Sequence, residues 1–124
     1  MNILVIDDDA DDVELFCEAV HDIDSRIECH DFKKMQSALE FLNGSVHPPA
    51  FIFLDAHIPS SDPADFLKQI ARLTKLNNVK IVIYSGYLSD REVLEFKKLG
   101  AHHVVIKPTS YDDLRRTLST LILT

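Results

Sequence analysis

Nothing in this sequence is apolar for long enough to enter a membrane. Its longest apolar runs are four or five residues, as in Ala50–Leu54, far short of the ~20 that a spanning helix needs. It also lacks a basic stretch. Twenty acidic side chains face 13 lysines and arginines, for a net charge of −7. Nucleic acid is therefore excluded as a main partner, because binding there rests on cationic contacts to phosphate. There are only two cysteines, Cys17 and Cys29. Their spacing fits no metal pattern, and they are expected to be reduced thiols of a cytoplasmic protein. Glycine and proline are scarce (3 and 5), and no repeat, linker or low-complexity tract interrupts the chain. Residues 1–124 are expected to form one domain with one core. A strand pattern begins at Ile3, so no signal peptide is expected.

What is present alternates. Ile3–Ile6 reads as a buried strand, and Val13, Phe16, Cys17 and Val20 then fall at i, i+3, i+4 and i+7, the spacing of an amphipathic helix. Residues 26–31 form a weaker strand in which Ile27 and Cys29 alternate with polar neighbours. Met35, Ala38, Leu39 and Leu42 repeat the helical spacing up to Gly44. Ala50–Leu54 is a third strand, Phe66–Leu73 a third helix and Val79–Tyr84 a fourth strand. Val93–Leu99 is a fourth helix that stops at Gly100. Val104–Ile106 is a fifth strand, and Leu114–Ile122 the last helix. Five strands alternating with five helices imply an α/β fold, a doubly wound parallel sheet covered on both faces. The first, third and fourth strands are the most uniformly apolar, as central strands should be. The second is mixed and the fifth is preceded by His102-His103, so these two read as edges. The expected order is 2-1-3-4-5, that of flavodoxin-like (βα)5 sheets.

The unusual residues fall where strands end. Asp7, Asp8 and Asp9 follow the first strand, Asp55 the third, Ser85-Gly86 the fourth and Lys107-Pro108 the fifth. In a parallel sheet these ends share one rim, at about 4.8 Å per strand, so Asp7 and Lys107 should start roughly 14 Å apart. A lysine side chain spans much of that gap. Carboxylates this close repel one another and need compensation. An all-oxygen ligand set suits a hard dication, Mg²⁺ first and Mn²⁺ as a possibility. A carboxylate nucleophile, a metal, a lysine and a hydroxyl beside a small Gly86 are the parts needed to move a phosphoryl group.

In order and spacing, "ILVIDDD", "FIFLDAHIP", "IVIYSG" and "VVIKP" resemble the receiver domain of two-component response regulators, and the resemblance covers essentially the whole chain. It implies a stand-alone receiver domain over residues 1–124. Asp55 would take a phosphoryl group from a sensor histidine kinase or a phosphotransfer protein. Asp7, Asp8, Asp55 and the backbone carbonyl of His57 would hold the metal. Ser85, Gly86 and Lys107 would bind the phosphoryl group and switch, and Pro108 would follow a cis peptide bond. Such a module is not an enzyme with a separate substrate, although it catalyses its own phosphorylation and dephosphorylation. An unidentified downstream protein would read it, with neither nucleic acid nor membrane as partner, and the module would be a monomer or weak dimer.

Three positions depart from the family pattern. His57 stands where Asn is frequent. Pro63 stands where Gly is usual and cannot adopt a positive φ, so the loop before it should take another shape. Val104, small and stiff, stands where an aromatic ring usually reports the switch, with Tyr84 or Tyr87 as conceivable substitutes. Asp9 reads as a helix cap, and Asp11, Asp12 and Glu14 as a solvated helix start. Two other functions compete. One is a binding module that keeps the fold without phosphorylation. The other is a phosphatase of the haloacid dehalogenase type with Asp7 as nucleophile, for which Asp7-Asp8-Asp9, Ser85 and Lys107 imitate the motif but Asp11 does not.

Overall fold

A computed structural model of the chain describes residues 1–123, with only the backbone of Thr74. The elements run β1 (Asn2–Ile6), α1 (Ala10–Ile23), β2 (Glu28–Phe32), α2 (Met35–Gly44), β3 (Phe51–Leu54), α3 (Pro63–Ala71), β4 (Lys80–Ser85), α4 (Asp90–Lys98), β5 (His103–Ile106) and α5 (Tyr111–Leu123), with a short 3₁₀ turn at Thr74–Leu76. All strand pairs are parallel and the order is β2-β1-β3-β4-β5. The flavodoxin-like topology and the two edge strands expected from composition are both observed. No helix among the described residues is long and apolar enough to cross a membrane.

Strand parity sorts the core into two halves. Ile3, Val5, Phe51, Phe53, Val82 and Tyr84 face α1 and α5, where they meet Phe16, Ala19, Val20, Leu114 and Leu118. Leu4, Ile6, Ile52, Leu54, Ile81 and Ile83 face the other way, against α2, α3 and α4. Phe16 and Phe53, both fully buried, meet edge-to-face with ring centroids 4.9 Å apart. Each such ring contributes about 1.5–3 kcal/mol by leaving water, and the pair locks α1 over β3.

Local chemistry starts and stops the helices. Asp9 caps α1, its carboxylate accepting from the N–H groups of Asp11 and Asp12. Ser89 and Glu92 form a reciprocal capping box at the start of α4. Gly100, just beyond that helix, has φ 107°, a conformation other residues resist. Pro63 occupies the first turn of α3, where a missing N–H costs nothing. The positive φ expected to be impossible at Pro63 falls instead on Ser60, at 60°.

The expectation of two reduced thiols is overturned. Cys17 and Cys29 form a disulfide that ties α1 to β2, with Cα atoms 5.8 Å apart, inside the range that a bridge spans. Cys29 has the parity of β2 that faces α1, and the helical position of Cys17 aims it back at that strand. Both pack against the α1/α5 half of the core. Sequence spacing alone could not show this convergence.

His102 also joins the sheet. Its N–H donates to the Ile81 carbonyl at 2.8 Å, while its ring Nδ1 accepts the Ile81 N–H at 3.0 Å. An accepting ring nitrogen must carry no proton. Desolvation, then Lys80 and His103 nearby, push the imidazole below its ordinary value of 6.5. The contact is therefore intact above pH 6.5 and is lost as pH falls through the lowered folded value.

Two outcomes are expected. Reduction, or Cys17→Ser, lowers the unfolding free energy by about 3 kcal/mol, measured by urea titration with and without reductant; a thiol assay that finds both cysteines free in oxidising buffer contradicts the bridge. Acidification below 6.5 shifts the Ile81 amide resonance and lowers stability, and His102→Ala flattens that dependence.

Candidate functional site

Backbone hydrogen bonds continue past the strand ends and hold the key residues in place. The N–H of Asp7 donates to Phe32 O at 2.9 Å, that of Asp55 to Ile6 O at 2.9 Å and that of Lys107 to Ser85 O at 2.8 Å. The residues after β1, β3 and β5 are thus set by the sheet itself. Ser85 is the last residue of β4 and is 1% exposed, beside Asp7 at 2% and Asp55 at 9%.

The ammonium of Lys107 lies at the centre. Its Nζ is 2.7 Å from Asp7 Oδ2, 2.9 Å from Asp12 Oδ2 and 3.0 Å from Asp55 Oδ2. It also lies 5.6 Å from the Tyr84 ring centroid. The other oxygen of Asp55 accepts from the His57 N–H at 2.9 Å and the Ser85 hydroxyl at 2.9 Å. Both oxygens of this carboxylate are therefore fixed, and no buried side-chain nitrogen or oxygen among the described residues lacks a partner.

The two buried carboxyls are driven in opposite directions. Burial raises Asp7, and its bonds from Lys107 and the Asp9 N–H only partly offset that. Burial also pushes Asp55 up, but the His57 N–H, Lys107 and Ser85 outweigh it and hold the group below its ordinary value. Desolvation alone would lower Lys107, yet hydrogen bonds to Asp7, Asp12 and Asp55 raise it. Asp55 is thus held toward its ionised form, whereas burial disfavours the charged form of Asp7.

Carboxylate oxygens of Asp7, Asp8 and Asp55 all lie within 4.8 Å of one another. An oxygen-only set of this charge fits a hard divalent cation. A Cβ on Gly86 would meet nothing within 4 Å, so the space beside Ser85 is open.

The sequence-predicted residues Asp7, Asp8, Asp55, His57, Ser85, Gly86 and Lys107 converge on one rim. Pro108 is the exception. No peptide bond among the described residues is cis, so the expected cis Lys107–Pro108 bond is trans, the isomer favoured by about 0.5–1 kcal/mol in X-Pro links. Asp9 caps α1 as expected, but Asp12 is no mere solvated residue. It sits on the first turn of α1, which begins directly after Asp7–Asp9, and that adjacency was the available signal. Glu92 was also missed. Its Oε2 lies 2.8 Å from His57 Nε2, and nothing in the sequence pairs residues 35 apart.

Because its ionised form is disfavoured by the fold, Asp7→Asn should stabilise the protein in a chelator by on the order of 1 kcal/mol. If a divalent cation binds these carboxylates, the substitution should also remove most of the stabilisation gained from millimolar Mg²⁺. Thermal melts with and without the cation check both, and a lower melting point for the variant in chelator contradicts the destabilising effect of burying the Asp7 charge.

Comparison with known proteins agrees with this geometry. The family profile described as the response regulator receiver domain matches residues 3–119. The probable methanogenesis regulatory protein FilR2 of Methanothrix harundinacea is 28% identical over 90 residues, which is 69% of this chain and 58% of that protein. The match thus spans little more than half of that relative. The phosphorylated cyanobacterial phytochrome response regulator RcpA superposes with TM-score 0.86 at 18% identity, over 97% of this chain and 89% of that one. A two-component response regulator from Legionella pneumophila gives 0.83 at 24%, over 100% and 99%. The Mn²⁺-bound form of response regulator Rcp1 gives 0.82 at 20%, over 97% and 90%. At these identities the structures bear on the fold alone. With the profile covering nearly all of the sequence, the chain belongs to the response regulator receiver domain family.

Proposed function

We propose that this chain is a phospho-receiver module that accepts a phosphoryl group on Asp55 from a phosphohistidine of a sensor histidine kinase or phosphotransfer protein. The observation that carries the reading is the environment of that carboxylate. It is buried yet held ionised, with Lys107 on one oxygen and Ser85 and the His57 N–H on the other.

An ionised Asp55 oxygen attacks phosphorus, the P–N bond to the donor imidazole breaks, and its electron pair leaves with the imidazole. Lys107, already 3.0 Å from the acceptor, balances the charge on the transferred phosphoryl oxygens. Ser85 turns its hydroxyl from Asp55 to one of them. Asp7, Asp8, Asp55 and the His57 carbonyl are the residues that would hold Mg²⁺, or Mn²⁺ in its place. Bound there, the cation would screen the approach of an anionic donor to a rim of carboxylates. Attack of water on phosphorus then breaks the P–O bond to Asp55, releases inorganic phosphate and regenerates the carboxylate, so the module turns over its own phosphoryl group without a separate substrate.

Residues 1–124 would act as one receiver domain, monomeric or weakly dimeric, and a downstream protein would sense its phosphorylated form. That a relative of the same fold is described as phosphorylated and another as Mn²⁺-bound supports the assignment. The competing phosphatase reading requires Asp7 as nucleophile. Asp7 is bonded to Lys107 and the Asp9 N–H but not to the Ser85 hydroxyl, which donates to Asp55 instead, and this favours Asp55 as the acceptor.

Incubation with a small acyl phosphate and Mg²⁺ should add one phosphoryl mass, lost again on standing. Asp55→Asn should abolish the gain. A phosphoryl adduct on that variant would refute the assignment, and an adduct lost only in Asp7→Asn would favour the phosphatase.

A further inference from the structure

Four side chains form an unbroken hydrogen-bonded chain from the acceptor to the start of α4. Asp55 Oδ1 is 2.9 Å from Ser85 Oγ, which lies 3.1 Å from His57 Nδ1. The other ring nitrogen, Nε2, is 2.8 Å from Glu92 Oε2. The second oxygen of Glu92 accepts the Ser89 N–H at 2.9 Å, and the Glu92 N–H returns to Ser89 Oγ at 3.1 Å. One carboxylate thus both closes the capping box of α4 and grips the imidazole. The ring of Tyr87 stacks on that imidazole at 6.2 Å, on the exposed side.

The chain has a weak point at Ser85. A hydroxyl has one hydrogen to donate; Ser85 gives it to Asp55 Oδ1 while its Oγ also lies 3.1 Å from His57 Nδ1. A phosphoryl group on Asp55 moves the negative charge outward onto three phosphoryl oxygens, and the hydroxyl turns to follow those charged acceptors. Turning toward them takes Oγ away from His57. The imidazole then keeps only its tie to Glu92, so the balance of forces on the first turn of α4 changes. The residues usually credited with this relay are wanting. Val104 carries no ring to swing. Tyr84 is 5% exposed, packed on Phe16 and Phe53 and committed to the opposite core half.

We infer that His57 and Glu92 are positioning residues that carry the state of Asp55 to the N-terminal turn of α4, in place of a rotating aromatic side chain. The inference rests on the receiver reading of the site. In the resting protein the pair holds Ser85 and the helix start together; phosphorylation draws Ser85 out of the chain and frees the turn that bears Ser89, Glu92 and, just before it, Tyr87.

Amide resonances of residues 89–93 provide the test, followed with the intact mass before and after addition of a small acyl phosphate and Mg²⁺. In the wild type these amides should shift as the phosphoryl mass appears. His57→Ala, which keeps the backbone carbonyl, should displace the resting amides along the same direction before any phosphodonor is added. Glu92→Gln should do so to a smaller extent, since glutamine preserves the capping box but loses the charge facing the imidazole. A purely structural role would scatter the shifts in unrelated directions and would overturn the inference. So would a wild type that gains the mass while these amides stay still, although the receiver reading would then stand. A wild type that gains no mass would refute that reading, and this inference with it.

Discussion

The site depends on one ammonium group set among carboxylates. Lys107 touches Asp7, Asp12 and Asp55 at once, and without it three negative groups would face one another across a partly desolvated rim. The balance is incomplete by one or more charges, since Asp8 stands beside them with no second lysine. Burial raises the carboxyl of Asp7, and the uncompensated oxygens around it suit the rim to a dication. The site also divides the labour between two chemically identical side chains. Asp55 collects three hydrogen-bond donors that hold it below its ordinary value, whereas burial raises Asp7 above its own.

Much of this arrangement was legible in the sequence because it follows from periodicity. Uniformly apolar strands had to be central, and mixed ones had to be edges. Once the strand order was known, the residue after each strand had to lie on the common rim. Asp55, Lys107 and Ser85 could be placed together by that reasoning before any resemblance was invoked. Pro63 begins α3, and the positive φ of the loop before it lies at Ser60.

What stayed hidden depends on side-chain reach between elements distant in sequence. Asp12 reads as an ordinary first-turn acid; its closeness to Asp7–Asp9 places it near the rim, but only the packing of α1 brings its carboxylate to Lys107. The grip of Glu92 on His57 needs the β3–α3 loop and α4 to meet across β4. The disulfide needs the inward parity of Cys29 and the inner face of α1 to coincide at the height of Cys17. Each is a question of phase between two periodic elements, which neither pattern contains alone. The Lys107–Pro108 bond failed for a different reason, since family habit stood there in place of a physical argument.

The ladder bonds that outlast the strands have a consequence for how such a domain can vary. Asp7, Asp55 and Lys107 are anchored by main-chain contacts to Phe32, Ile6 and Ser85, all within the sheet, and none of those anchors is in a helix. Surface segments can be lengthened, recharged or reshaped without displacing the reacting atoms relative to one another. A lineage is thereby left free to exchange partners at the periphery while the chemistry at the rim is inherited intact.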